Sequence, residues 1–567
     1  MPACSYSNLY DHVKYLASDK LEGRYPGTSG DMLAARYIQS QFQKCGLDLL
    51  GKNGFQEFDF INSIILGENN LLSFENNNYL VGNDFMPISF GKSSSLSAEL
   101  FIAGYGFNIN EDSLYWNDYE GNDLSGKWVM IFRGAPDGNN PHGKYSEHSS
   151  LRTKALVAKD NLAAGVIFVS GYDFDPNDDL IELSYEHGQQ DIGIPVIHIK
   201  RYLADLLLKD VNTNIEDIEL QINQNKQNFN NFFVKEVIDV KTSIVYEKKK
   251  TQNVIGFIEG TNDDLKDEYI VVGAHYDHIG YGGDGSGSRR PYLNAIHNGA
   301  DDNASGVSIL LELAKSLKKI KVNRSILFVA FGAEEMGLLG SKHFVNSDIV
   351  SSEKIQIMVN MDMVGRLNEE KVLSINGTKT AVGLEELIVS IIDKTEFDYV
   401  FSSEGYGPSD HSSFYSDNVP VLFFFTGAHT DYHTPHDDYD KLNYKGMMNI
   451  QNLMLSLIVL MDDSEKLMFQ KAGSSSKGRP VKFRVTLGIM PDYVSIEEKG
   501  LRIDVVLPGK PADNAGLING DLIVSIDGKS VGDIYEYMHR LSELSPGQKA
   551  NVVVIRNKIK LEYLVTF

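Results

Sequence analysis

Five short segments carry side chains that could do chemistry: GAHYDH (273–278), GADDNASG (299–306), FGAEEMG (331–337), NMDMVG (360–365) and DYHTPHDD (431–438). Each is ordinary by itself. His275 and Asp277 stand two apart. A metal-bound imidazole usually donates its second N–H to a carboxylate, and Asp277 could supply one, although a polar strand-end loop reads the same way. Asp301 and Asp302 could bind a cation or could simply cap a following helix. Glu334 and Glu335 could be one ligand and one general base, or a solvated turn. Asp362 interrupts an apolar run, where an unpaired charge is costly. His433 is followed by His436, Asp437, Asp438 and Asp440, which alone make a polar loop. Taken together, imidazoles and carboxylates in this number suit zinc. Two zinc ions need about four terminal ligands and a bridge. Their positive charge would be balanced by Asp302, Glu335, Asp362 and a bridging hydroxide. No cysteine lies near these segments, which excludes a structural thiolate site.

The elements that must position these residues are legible as apolar runs. YIVVGA (269–274), SILFVAF (325–331), IQIMVNM (355–361) and VPVLFFF (419–425) are short and continuous, as in strands buried on both faces of a largely parallel sheet. Over 305–319, Val307, Leu310, Leu311, Ala314 and Leu317 form one helical stripe. Strand, helix and strand in this order predict an α/β fold with a mostly parallel central sheet flanked by helices. Four of the five segments then fall at the C-terminal ends of strands, and the fifth opens the helix. That edge of an open α/β sheet is where ligands bind. Residues 90–234 differ: strands are expected at 100–104, 128–133, 165–170 and 194–199, separated by Gly- and Asn/Asp-rich turns. The expected scheme is a first domain in two parts, 1–89 and 235–471, a β-rich insert at 90–234, a linker AGSSSKGRP (472–480) and a small domain at 479–567. GYGGDGSGS (280–288) reads as a flexible loop near the site, since no Lys-Ser/Thr pair follows to make a phosphate cradle. His297, just beyond it, has no assigned role.

Bulk composition removes several function classes. The net charge is −24, from 53 basic and 77 acidic residues, which argues against nucleic acid and against anionic membrane surfaces as partners. A hydrophobic fraction of 42% with 23% charged residues is that of a folded globular chain. Its longest apolar stretch, 453–461, is interrupted by Ser456 and too short to span a bilayer, so no transmembrane segment is expected. The first ten residues have neither a basic start nor an apolar run, so no signal peptide is expected either. Two cysteines exclude a disulfide scaffold, and Cys45 falls at a helical spacing that predicts a small core residue.

All five segments, in this order, resemble the di-zinc exopeptidase family that includes bacterial leucyl aminopeptidases, aminopeptidase Y and glutamate carboxypeptidase. HVKYLASDKLEGRYPGTSGDMLAARYI (12–38) resembles that family's start, so the likeness spans 1–470. The resemblance implies two zinc ions per chain. His275 and Asp362 would bind one, Glu335 and His433 the other, with Asp302 bridging. Glu334 would be the general base, Tyr432 would help stabilise the tetrahedral intermediate, and Asp277 would support His275. GPSDHSSFY (407–415) matches a segment lining the family's site, with Asp410 or His411 against substrate. Hydrolysis by activated water needs no acyl-enzyme, so Ser305, Ser412 and Ser413 are not nucleophiles.

The implied activity is removal of N-terminal residues from peptides, outside the cytoplasm if the family's habit holds. A carboxypeptidase or dipeptidase on the same site is the alternative, with Arg366, Arg289 or Arg290 for a terminal carboxylate. A non-catalytic receptor-like homologue is another, against which every expected ligand and Glu334 are retained; single-zinc glutaminyl cyclase chemistry is a third. GYGF (104–107), GKWVMIFRG (126–134), AAGVIFVSG (163–171) and IPVIHIK (194–200) make the insert resemble a protease-associated domain. ADNAGLINGDLIVSIDGKSV (512–531) makes the tail resemble a PDZ-like α+β domain, with Gly520 and Asp521 in a turn and Ile523 and Ile526 in its core. Leu487, Gly488, Ile489 and Met490 would then form the loop that holds a peptide C-terminus, opposite a helix at 534–544.

Overall fold

The four apolar runs form the spine of the main sheet. In the computed structural model, the strands Ser325–Phe331, Tyr269–His275, Ile355–Met361 and Val421–Phe425 lie side by side in that order, all parallel. The structure describes residues 6–567 apart from 112–113, 138–142, 185–190, 226–230, 284–285, 473–484, 492–499, 507–508, 519, 532–536, 538–539, 542–543 and 557. Every residue of Ser325–Phe331 and of Ile355–Met361 is buried, as continuous apolar strands covered on both faces must be. The flanks run the other way. Ile244–Ile258 is antiparallel to Ser325–Phe331, and Val372–Asn376 is antiparallel to Val421–Phe425 while parallel to Asp398–Ser402. Hydrophobic runs report burial, not direction, so the antiparallel flanks carried no signal of their own.

Helix Gly306–Leu317 is buried along its whole length except at Lys315, and all five residues of the expected stripe are inside. With Tyr6–Leu16, Ser29–Lys44 and Tyr444–Asp463 it closes one core around the sheet. Emptying such a core at one leucine, Leu310→Ala for example, costs about 2–5 kcal/mol. Cys45 is only half-buried, because it sits at the C-terminal cap of Ser29–Lys44 rather than inside the helix.

The chain divides into two compact units, 1–60 with 249–567, and 61–248. The second has its own sheet and core. Ser95–Ile102, Trp128–Phe132, Gly165–Val169 and Val196–Ile199, the four strands expected there, are adjacent and parallel. The unit extends beyond 90–234 on both sides because Leu71–Phe74 pairs with Phe232–Lys241 in the same sheet. Three helices, Leu151–Asp160, Arg201–Leu208 and Ile215–Asn225, accompany the sheet. Trp116 and Trp128, the two tryptophans of the chain, are both buried in this unit.

The C-terminal segment builds a small sheet from Ile489–Pro491, Leu501–Val506, Leu522–Ile526, Lys529–Ser530, Lys549–Arg556 and Ile559–Thr566. Leu487, Ile523 and Ile526 lie in its core. The linker expected at 472–480 falls, from 473 onward, outside the described residues, as does most of the helix expected at 534–544. Among the described residues no helix is long and apolar enough to cross a membrane.

Candidate metal centre

Three of the parallel strands deliver the chemistry from their C-terminal ends. His275 is the last residue of Tyr269–His275, Glu334 and Glu335 follow Ser325–Phe331, and Asp362 follows Ile355–Met361. Asp302 lies in the irregular turn Ala300–Ser305 that opens helix Gly306–Leu317, and His433 stands in the loop beyond Val421–Phe425. Two clusters result. One holds His275, Glu334 and Asp362; the other holds His278, Asp302, Glu335 and His433. The donor atoms of each lie within 4.8 Å of one another.

Asp302 connects the two. Its Oδ1 is 3.3 Å from His275 Nε2, while its Oδ2 is 3.1 Å from His433 Nε2. His275 Nε2 is also 3.3 Å from Asp362 Oδ1, and His433 Nε2 is 3.1 Å from Glu335 Oε2. Despite these approaches, the Nε2 atoms of His275 and His433 and Oδ1 of Asp362 are buried without a hydrogen-bond partner. Buried polar atoms are rarely left so, and each unmade bond costs about 1–3 kcal/mol. Four carboxylates, Asp302, Glu334, Glu335 and Asp362, crowd the same space at high burial. Nitrogen and oxygen donors without sulfur, aimed inward at one another, fit a hard or borderline cation, zinc among them.

Asp277 holds the arrangement from beneath. Its Oδ1 accepts the Glu334 N–H at 3.0 Å and its Oδ2 the Glu335 N–H at 3.3 Å. His275 Nδ1 lies 3.3 Å from the Asp277 carbonyl and 3.8 Å from Oδ1. Burial pushes the Asp277 carboxyl up to about 8. Burial, with Asp362, Asp410 and Glu335 nearby, also raises Glu334 well above the usual carboxylate range. The Tyr432 ring stacks on His433, centroids 3.9 Å apart, and burial with the Asp302 charge raises its phenol, so the hydroxyl stays protonated.

Two further residues, His278 and Arg24, complete the site. His278 sits with its Nδ1 2.8 Å from Glu335 Oε1, and its Nε2 is buried without a partner. Arg24 is buried beneath the strand ends. Its guanidinium donates to the carbonyls of Tyr276 at 2.7 Å, Leu16 at 2.5 Å, Asn298 at 2.6 Å and Gly299 at 2.9 Å. Burial lowers it to about 10, so it remains a cation at neutral pH. The backbone is strained here as well. Ala333, Met363 and His433 all have φ near +50°, each beside or at a donor. Left-handed non-glycine residues cost on the order of 1–3 kcal/mol and gather at functional sites.

Other candidates lie elsewhere in the network. Asp301 is not in either cluster: its Oδ1 accepts the Gly365 N–H at 2.6 Å and its Oδ2 faces His429 at 3.2 Å. Arg366 is 3.0 Å from Asp431 and 3.4 Å from Asp437, so its charge is already matched. Asp410 is buried, and that burial raises it to about 7. His411 is stacked on Phe423, and its burial lowers it to about 3, so the ring is neutral. In the tail, Gly488 has φ +74°, and a Cβ there would meet the Lys510 side chain at 2.1 Å. Leu487 is buried and Ile489 partly so, while the Met490 side chain lies outside the described residues.

Residues 253–458 match the profile of peptidase family M28, and residues 485–566 match the PDZ domain. The chain is 26% identical over 469 residues to aminopeptidase YwaD of Bacillus subtilis (strain 168), covering 80% of this chain and 84% of that one. It is 31% identical over 202 residues to leucine aminopeptidase 2 of Trichophyton rubrum, which is 34% of this chain and 37% of that relative. Among solved structures, an aminopeptidase from Aneurinibacillus sp. strain AM-1 aligns with a TM-score of 0.46 and 22% identity, over 82% of this chain and 95% of that one.

Proposed function

With residues 253–458 a peptidase family M28 domain and residues 485–566 a PDZ domain, we propose that the protein is a zinc-dependent aminopeptidase using two zinc ions. The observation that carries this reading is Asp302, whose two oxygens face the two donor clusters separately. His275 and Asp362 would hold one zinc, Glu335 and His433 the other, and Asp302 would bridge them. Zinc bound there would supply Lewis acidity, lowering the pKa of a water and polarising the scissile carbonyl.

The chain's own groups do the rest. Glu334, as its carboxylate, takes a proton from water and returns it to the leaving amine. Asp277 fixes the Glu334 backbone and faces the His275 ring. The protonated Tyr432 hydroxyl donates to the oxyanion as it develops. An acidic site suits a substrate ammonium, which favours amino- over carboxypeptidase action; of the arginines that could take a terminal carboxylate, Arg366 is paired with Asp431 and Asp437, while Arg289 Nη1 is buried without a hydrogen-bond partner. The names of the relatives, aminopeptidase YwaD and leucine aminopeptidase 2, support the same choice.

The remaining parts belong to this reading. Residues 61–248 are a protease-associated domain. The loop Leu487, Gly488, Ile489 and Met490 receives a peptide carboxylate, and the enzyme works outside the cytoplasm. The test is mass spectrometry of a zinc-loaded digest of one peptide, free and N-acetylated. Stepwise N-terminal loss from the free form alone is expected. C-terminal loss from both would make the enzyme a carboxypeptidase, and no cleavage with two zinc ions bound would favour a receptor-like homologue.

A further inference from the structure

The glycine-rich loop after His278 is docked, not loose, where it is described. His433 Nδ1 donates to the Gly287 carbonyl at 3.1 Å, and the Arg289 N–H donates to the His433 carbonyl at 2.9 Å. One loop thus grips both the ring and the backbone of His433. A carbonyl only accepts, so the Gly287 contact requires the proton on Nδ1. Nε2, the other ring nitrogen, faces Asp302 and Glu335, so in the neutral ring it is Nε2 that is available as a metal ligand.

The loop is itself held by His297, which is fully buried. The His297 N–H donates to the Gly280 carbonyl at 2.8 Å. Its Nδ1 donates to the Ala295 carbonyl at 2.9 Å, so its Nε2 carries a lone pair that accepts the Ser288 hydroxyl at 2.9 Å. Ser288 Oγ in turn accepts the Arg290 N–H at 3.0 Å. All directions in this chain of bonds agree. Gly282 has φ +73°, and a Cβ there would meet the His297 ring at 2.4 Å, so the glycine lets His297 take its place.

We propose that His297 and Ser288 are positioning residues that fix the Gly287 carbonyl on His433, and so set the zinc affinity of the His433 cluster alone. The inference rests on the two-zinc reading above. It separates the clusters by their support. The His275 ring faces Asp277, at the end of a central strand, whereas His433 relies on the backbone carbonyl of a loop. Partners that orient a ligand typically matter 10–100-fold in metal affinity.

The experiment is equilibrium zinc titration of the metal-depleted full chain against a competing chelator, for wild type, Ser288→Ala and Ser288→Thr. In Ser288→Ala, one of two zinc equivalents should weaken about 10–100-fold and the other stay unchanged. Ser288→Thr keeps the hydroxyl and should restore wild-type binding. Equal affinities in wild type and Ser288→Ala, equal weakening of both equivalents, or no rescue by threonine would overturn the proposal. A wild-type chain that binds fewer than two zinc ions would overturn the two-zinc reading itself, and the loop's role with it.

Discussion

Replacing Arg24 by lysine tests whether the strand ends are held by its guanidinium. Arginine makes four bonds to main-chain carbonyls from three different segments. A lysine ammonium has three donors. Arg24→Lys therefore loses at least one of the four bonds, and any loss other than that to Gly299, whose carbonyl also accepts the Ala304 N–H at 3.2 Å, leaves a buried carbonyl unpaired. A buried group without its partner costs about 1–3 kcal/mol. The charge is kept, so the change isolates the fork geometry from the electrostatics. The segment that would loosen is the one Arg24 ties, from Tyr276 to Gly299. Hydrogen exchange measured by mass spectrometry reads its local opening directly. A cost of that size should speed exchange about 5- to 140-fold for the amides of His278, Gly280 and His297, which bond to Arg24, Gly23 and Gly280. Exchange within twofold of wild type across 276–299 would refute the clamp.

Other outcomes follow from the same geometry. Glu334→Gln should lose about 10²-fold or more in turnover while keeping its zinc content; near-full activity would remove Glu334 as the base. Stripping metal with a chelator should lower the melting temperature, since four carboxylates would then face one another. Zinc at a hundredfold excess over its dissociation constant should return about 2.7 kcal/mol per site, and an unchanged melting point would contradict a structural cation. Burial disfavours the Glu312 carboxylate, but hydrogen bonds from His12, Lys315 and Asn8 outweigh it and hold the group at about 2, against 4.5 ordinarily. A depressed carboxyl stabilises above its unfolded pKa and loses that contribution as pH falls through the folded one. Acid unfolding should thus steepen between pH 4.5 and 2, and Glu312→Gln should flatten that window; identical acid profiles would exclude the effect.

Much of this site was legible because its residues break local rules. Asp362 ends an apolar strand, and the paired acids at 334–335 follow a fully buried one, so both stood out against their surroundings. His278 did not stand out. Alternation along a strand would send it to the face opposite His275, but the strand ends at His275 and the chain turns before His278. Arg24 was illegible for another reason: its acceptors are backbone carbonyls up to 275 positions away, which no side-chain pattern reports. The glycines at 280–288 suggested flexibility because composition cannot show a docking partner, here His297 and His433. The start of the second unit at 61 was hidden because strands Phe55–Leu66 and Ile244–Ile258 run through its boundary without a change in composition.

The placement of both tryptophans within 61–248 divides the chain spectroscopically. Indole emission is a private channel of that unit, while the zinc-binding half and the C-terminal domain are silent in it. A fluorescence melt of the intact protein would record the unfolding of one module and miss the other two. Conversely, any change in indole emission on adding metal or peptide would be a message received by the insert, and so a direct optical readout of whether it listens to the active site.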